Sequence, residues 1–362
     1  LLSSAASDVY KRQIFYSAIT MFGVVTVIFF LFNVLPGDPA QMMLGQNENS
    51  DQLNMVKKKY GFDKSLSEQY FLYLNDLSPI SIHSKNNYDY SYFNQNYTGI
   101  ELFGFKKSTI NIKYPYLRTS FVNQGKKVST IIGETLPNTF ILAFSAILIA
   151  IVTGLIFGII SALNKGNFID ILIQFISTIG MSVPSFFSAI IFAWIFGFLL
   201  KDFTGLEMTG SLFELDDYGE SFNLKLKNLI LPSIVLGIRP LAVISQLVRN
   251  ELLNVLNQDY IRTAKAKGLS RFIIIKDHAL KNALNPVVTA ISGWFASLLA
   301  GAVFVEFIFG WNGIGKEIVN ALNLLDLPVI MGSVLVIAFM FILINIIVDI
   351  IYIKLDPRIK IN

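Results

Sequence analysis

The residues whose types and spacing point most clearly to a specific task lie in one basic stretch, Asp259-Tyr-Ile-Arg-Thr-Ala-Lys-Ala-Lys-Gly-Leu-Ser270, followed by His278-Ala-Leu-Lys-Asn-Ala-Leu-Asn-Pro286. The chemistry they offer is mechanical. Ala264, Ala266 and Gly268 carry little bulk, so another protein's surface can approach the backbone closely. Gly268 also suits the left-handed end of a helix, and Pro286 can open the next one. Together they describe a short exposed helix, a rigid peg for a partner's groove. The alternative is an ordinary basic loop held at a membrane surface.

Other reactive residue types are sparse. There is no cysteine, which excludes disulfides and thiolate metal sites. The two histidines, His83 and His278, lie too far apart in sequence to suggest a metal centre. Gly310-Trp-Asn-Gly-Ile-Gly-Lys316 nearly matches a phosphate-binding loop, but Glu317 stands where a Ser or Thr should hold magnesium and no strand precedes it. Its glycines read as a turn, and the chain is expected to have no nucleotide site, cofactor or catalytic centre of its own.

The elements that position the peg are apolar. Hydrophobic residues make up 53% of the 362, and charged ones only 15%, against about 25% in a soluble domain. Apolar runs of membrane-crossing length fall at about Ile14–Val34, Leu136–Leu163, Ile169–Leu200, Leu229–Val248, Pro286–Phe309 and Pro328–Ile353. Basic residues crowd 249–285, with Arg249, Arg262, Lys265, Lys267, Arg271, Lys276 and Lys281, whereas 201–228 is richer in acids. This asymmetry puts 249–285 and both ends of the chain on the cytoplasmic side. The net charge of +4 is small and scattered, with no nucleic-acid footprint. Residues 1–13 read as a non-native or disordered leader, and 354–362 as a cytoplasmic tail.

The sizeable stretch outside the spans is 35–135. Leu53, Val56 and Tyr60 recur at helical spacing before Gly61. Ser65 and Glu68 form a capping box for a helix with Leu66, Tyr70, Leu74 and Leu77 on one face. Strands are predicted at about Ile100–Phe105 and Thr109–Tyr116, joined near Lys106 and Lys107. The segment reads as a small α+β cap on the outer membrane face.

Within the spans, Arg239 stands mid-helix beside Pro240, a costly place for a charge. Such a charge normally faces a cavity or a partner, so Arg239 is a candidate functional residue, or else a member of a structural pair with Glu306 or Asp349, or a contact with another subunit. Glu306 near the outer end of its span is a candidate gate. Met181, Ser182, Ser185 and Ser188 could line a path or simply permit close packing. Pro184 and Pro232 can kink their helices.

The peg region resembles the cytoplasmic coupling loop in permeases of the dipeptide/oligopeptide/nickel class of ABC importers. Arg262-Thr263-Ala264 and Gly268 fall at the first two positions of that motif, while Asn285-Pro286 comes later than the general spacing of its end. Further matching segments are Leu35-Pro-Gly-Asp-Pro39, Tyr60-Gly-Phe-Asp-Lys64, Leu136-Pro-Asn-Thr139, Met181-Ser-Val-Pro-Ser185, Gly301-Ala-Val-Phe-Val-Glu306, Ile308-Phe-Gly-Trp-Asn-Gly-Ile-Gly315 and Asp356-Pro-Arg358. Their order around the apolar runs covers about residues 14–362.

The resemblance implies an all-α polytopic protein of the bacterial cytoplasmic membrane, with six transmembrane helices, the type I ABC importer permease fold and an extracytoplasmic insertion. It implies a five-helix core over 136–353 with a coupling loop at 251–285. The implied partners are membrane lipid, a homologous sister permease, two ATPase subunits and an extracytoplasmic solute-binding protein. The cargo would be peptides, with nickel or another small solute as the alternative, and Arg239 could meet a peptide's carboxylate. An ion-coupled secondary transporter would instead need internal repeats and an intramembrane carboxylate site. A membrane-anchored sensor would use 35–135 as its ligand-binding part.

Overall fold

The computed structural model describes residues 2–34, 40–41, 50–123, 125–216 and 218–355, excepting the side chains of 2–10, 34, 285 and 349–355. The Leu35–Pro39 motif, the Asp356–Arg358 motif and the side chain of Asp349 lie outside the described residues. The chain is mostly helical. Its helices are α1 (Leu2–Val34), α2 (Ser50–Tyr60), α3 (Leu66–Leu77), α4 (Val128–Leu163), α5 (Phe168–Ser182), α6 (Ser185–Trp194), α7 (Lys201–Thr204) and α8 (Lys227–Leu256). They continue as α9 (Asp259–Ala266), α10 (Arg271–Ile273), α11 (Leu280–Ala283), α12 (Asn285–Gly301), α13 (Val303–Phe309), α14 (Ile314–Asn323) and α15 (Leu327–Leu355). Strands are β1 (Ile80–Ser84), β2 (Gly99–Gly104), β3 (Ser108–Lys113), β4 (Phe213–Leu215) and β5 (Phe222–Leu224).

Among the described residues four helices are long and apolar enough to cross a membrane, or up to six if each of two bent pairs counts as one span. Two of the expected apolar runs are bent. The third run breaks at Val183-Pro184, where α5 and α6 meet at 109°. Proline lacks an N–H and disfavours helix at the residue before it, and Val183 and Pro184 are extended. The fifth divides into α12 and α13, and the helical segment 271–283 before it meets α12 at 55°. Helix α1 runs from Leu2 and so includes most of the segment expected to be a leader.

The chain divides into two compact units, residues 1–135 with 317–338, and 136–316 with 339–362. In the first, Val25, Ile28 and Phe29 of α1 pack with Tyr73 of α3 and with Met331 and Leu335 of α15. The capping box forms as expected: Ser65 Oγ accepts from the Glu68 amide and Glu68 accepts from the Ser65 amide. Gly61 adopts φ +73°, ending α2. The expected hairpin appears as β2 and β3, with β1 added on the far side of β3 to give an antiparallel sheet of order β1-β3-β2.

This sheet buries its polar face. His83 is 1% exposed while its neighbour Ile82 is 61% exposed, and Ser81, Thr109, Asn111 and Lys113 are buried as well. Several of the buried groups find local partners, as burial favours, while Asn111 Oδ1 has none among the described residues. Ser81 and His83 Nε2 are 2.9 Å apart, and His83 Nδ1 bonds the Ser91 carbonyl at 2.9 Å. Because a carbonyl only accepts, Nδ1 carries the proton and Nε2 accepts from the serine. The Lys113 ammonium donates to the carbonyls of Asp76 and Ser78, and burial pushes its pKa down to about 8.

The second unit is a helical core in which Leu142, Ala143 and Ala146 of α4, Leu231, Val235 and Leu236 of α8, and Ala296, Leu299, Val305 and Phe309 of α12–α13 interlock. Close backbone approach sets the spacing. A side chain at Gly237 would meet the Ala146 carbonyl at 2.8 Å, and one at Gly158 the Ser245 carbonyl at 2.7 Å. Glycine lets apolar helices approach in this way.

Burial lowers the His83 pKa from 6.5. The unfolded chain therefore binds this proton more readily than the folded one, and stability rises with pH through that range. The first unit should lose stability as pH falls below about 6.5, and His83→Asn should flatten that dependence. Thermal unfolding of the detergent-purified chain across pH 5–7.5 measures it.

Candidate functional site

The sequence predicts a short exposed helix in the basic stretch after Asp259, and the structure forms α9 there. Its Asp259 lies in the first turn and accepts from Arg262 Nη1 at 3.2 Å, a fully solvated pair. The Thr263 hydroxyl bonds the Asp259 carbonyl at 3.1 Å. Lys267 ends the helix, Gly268 follows at φ +77°, and Ser270 caps α10 by accepting from the Ile273 amide. A Cβ at Gly268 would meet nothing within 4 Å. The glycine is thus required by backbone conformation and not by crowding.

The helix has two faces. Ile261 and Ala264 point inward and are buried with Ala162, Leu252, Ile274, Ala279 and Ala283 in a small apolar core. Arg262, Thr263, Lys265, Ala266, Lys267 and Gly268 are exposed. The small side chain of Ala264 therefore serves packing within this chain, whereas those of Ala266 and Gly268 leave the outer surface low. Pro286 is exposed in the first turn of α12, and Asn285 begins that helix, with its side chain outside those described.

The core beneath the peg is braced by a pair that sequence reasoning missed. Asp170, near the start of α5, is 3% exposed and accepts from Arg249 Nε and Nη2 at 2.7 Å each. It also accepts from the Ser161 hydroxyl and from the Gly166 amide at 2.9 Å. A forked, charge-assisted pair of this kind is both strong and directional. The signal available was an acid at the start of an apolar run with a single arginine at the end of another.

Of the candidate pathway residues, three come together. Arg239 is exposed on α8, and its guanidinium lies 3.5 Å from the Met181 carbonyl, one residue before Ser182 at the α5–α6 break. Among the described residues it has no carboxylate partner. Met181 and Ser182 are exposed too, with the Ser182 hydroxyl turned back onto the Thr178 carbonyl at 2.8 Å.

Glu306 is elsewhere. It is 0% exposed, and among the described residues its carboxylate is held by amides, not by Arg239. Its Oε2 accepts from the amides of Gly315 and Lys316 at 2.7 and 3.2 Å, at the start of α14. The Gly310–Lys316 segment that resembles a phosphate-binding loop is thus an amide cradle filled by the chain's own carboxylate. Amides at a helix start attract an anion of any kind. A Cβ at Gly313 would fall on that carboxylate. The same turn is pinned by the Leu136–Thr139 motif: Trp311 Nε1 donates to the Asn138 carbonyl at 3.0 Å, and the Ile314 amide to the Thr139 hydroxyl at 2.9 Å. Two segments matched separately in sequence therefore form one structure.

Comparison with known proteins now fixes the class. Residues 154–361 match the model of the binding-protein-dependent transport system inner membrane component, and residues 9–143 match that of its N-terminal part. The chain belongs to this family of membrane transport components. It is 34% identical over 357 residues to the dipeptide transport system permease protein DppB of Alkalihalophilus pseudofirmus, covering 94% of this chain and 95% of the relative. It is likewise 34% identical to the di/tripeptide transport system permease protein DppB of Pseudomonas aeruginosa, over 94% of this chain and 95% of that one. Among solved structures, an inward-facing MetNI methionine ABC transporter chain aligns at TM-score 0.50 and 17% identity, covering 63% of this chain and 97% of that chain, a likeness of fold.

Gly313→Ala should force the Glu306 carboxylate off its amides, lowering stability by about 1–3 kcal/mol, the usual cost of overpacking. Gly301→Ala, where a Cβ would meet nothing within 4 Å, should leave the melting midpoint unchanged. Paired thermal melts of the two variants in detergent give the comparison.

Proposed function

We propose that the chain is the permease subunit of an ATP-driven importer of di- and oligopeptides in the bacterial cytoplasmic membrane. Six spans enclose one half of the pathway, residues 35–135 form an extracytoplasmic cap, and 251–285 lies in the cytoplasm. A homologous sister permease supplies the other half, a solute-binding protein delivers the cargo, and two ATPase subunits supply the work. Support for the cargo comes from the names of the relatives. Support for the motor contact comes from one observation above all: α9 is held from behind by Ile261 and Ala264 while Arg262, Thr263, Ala266 and Gly268 face outward.

In this reading the ATPases grip the outer face of α9, and their closure moves the helix together with the core behind it. Nothing in α9 is placed to absorb the motion. Switching then requires that ATP favour one state of the assembly over the other. Arg239, Met181 and Ser182 line the path, with the guanidinium available to a peptide carboxylate. Glu306 acts as part of the outer gate by holding the 310–316 turn in place.

The α9 assignment makes a sharp prediction. Because Gly268 is in open space, Gly268→Arg should fold at a strain cost of about 1–2 kcal/mol and yet block docking. Copurification with the ATPase subunits and uptake of labelled peptides should both fall to background. Gly268→Asn tolerates the same backbone and should retain both. Uptake that survives Gly268→Arg, or a thiol at Lys265→Cys that reacts with an impermeant reagent from outside intact cells, would remove the assignment.

A further inference from the structure

The first unit contains a cavity of about 310 Å³ that none of the functions above uses. Rings of Tyr60, Phe62, Tyr97, Tyr116 and Phe121 form its walls. Its size is at the lower end of small-molecule sites, which are typically apolar with a few convergent polar groups. The polar groups here are unusual in sign. The lining includes Lys59 and Arg118, with Asn94 and Asn96, and no carboxylate.

The nearby acid Asp76 is already engaged. Asp76 is 1% exposed and accepts from the Tyr90 hydroxyl at 2.8 Å, the Tyr97 hydroxyl at 3.0 Å and Arg118 Nε at 3.0 Å. That leaves the two terminal nitrogens of Arg118 without a hydrogen-bond acceptor among the described residues. The guanidinium sits against the rings of Tyr73 and Tyr90, at 5.2 and 5.5 Å. Stacking on two rings and one bond to Asp76 fix its plane, as arginine's fork allows.

The backbone reinforces this orientation. Arg118 adopts φ 68°, which side chains rarely tolerate. A bulky residue held there costs of order 1–3 kcal/mol and persists only when its surroundings demand it. Its own carbonyl accepts from the Val128 amide at 3.0 Å, which locks that conformation. Lys59, exposed at the rim, lies over the Tyr60 ring at 5.6 Å, and among the described residues its ammonium has no carboxylate partner.

We infer that this cavity is a binding site for a small monocarboxylate with a flat apolar body, its carboxylate on Arg118 and Lys59 and its body between the tyrosine and phenylalanine rings. The donors exceed the acceptors, so an anion is favoured over a neutral or cationic molecule. The aromatic walls favour a planar or branched apolar group over a sugar-like one. Binding of this kind needs neither the ATPases nor the pathway, so it stands or falls apart from the transport reading.

The test is equilibrium dialysis of the full chain in detergent against radiolabelled N-acetyl-L-phenylalanine, with N-acetyl-L-phenylalaninamide as the uncharged control. One saturable site is expected for the acid, with the amide roughly tenfold weaker, the equivalent of one lost ion pair. Lys59→Glu and Asn96→Asp alter exposed positions and leave the Asp76 cluster intact. Each should weaken the acid by a similar factor and leave the amide alone. Absence of saturable binding, equal affinity for acid and amide, or indifference to both substitutions would overturn the assignment.

Discussion

A helix of eight residues can transmit force only if something behind it refuses to yield. Here that support is the burial of Ile261 and Ala264 against Leu252, Ala279 and Ala283. An isolated helix of this length is unstable in water, so α9 owes its shape to this packing. Burying a side chain the size of Ile261 or Leu252 contributes on the order of 1.5–3 kcal/mol, and an alanine less. The long helix α8 supplies Leu252 from its last turns and Arg239 from its middle. Helix α9 and Arg239 are thus both tied to α8. That is a physical connection, and coupling through it still depends on the helix having two arrangements to choose between.

The apolar surroundings of this core explain the treatment of its acids. A charge buried in apolar surroundings is costly unless it is paired or hydrogen-bonded. Asp170 resolves the problem with a forked arginine, a hydroxyl and an amide. Glu306 resolves it with backbone amides at the start of α14. Each also fixes a chain reversal: Asp170 ties the turn after α4 to α8 through Arg249, and Glu306 holds the turn between α13 and α14. Arg239 follows a different rule. It is left exposed beside a broken helix, where the exposed Met181 carbonyl accepts from it at 3.5 Å. The two acids are thus buried on donors from this chain, whereas Arg239 is exposed and has no carboxylate partner among the described residues.

Much of this was legible in the sequence. Apolar runs of span length, the Ser65–Glu68 capping box, Gly61 and Gly268 at helix ends, and the β2–β3 hairpin all follow from local rules. The 109° break at Val183-Pro184 was only half legible, because proline marks a possible kink without setting its angle. The role of Glu306 was not legible at all. It depends on amides nine and ten residues away, and the glycine pattern that creates the cradle resembles a phosphate loop. Asp170 with Arg249 was hidden for the same reason: the partners lie on different helices, 79 positions apart.

The insertion inverts the usual guide. Alternating strands normally turn apolar residues inward, and by that rule Ile80, Ile82 and Ile112 would form its core. Instead Ser81, His83, Asn111 and Lys113 are inside. The reason lies in Asp76. A buried carboxylate that anchors two tyrosines and an arginine draws donors toward it, and the Lys113 ammonium reaches the carbonyl of the same residue. Once these groups converge, register places every second residue on the opposite face, and the isoleucines have only the outside left to them. The Asp76 side chain thus gathers Tyr90, Tyr97 and Arg118 on the buried side of the sheet, with Arg118 lining the cavity there.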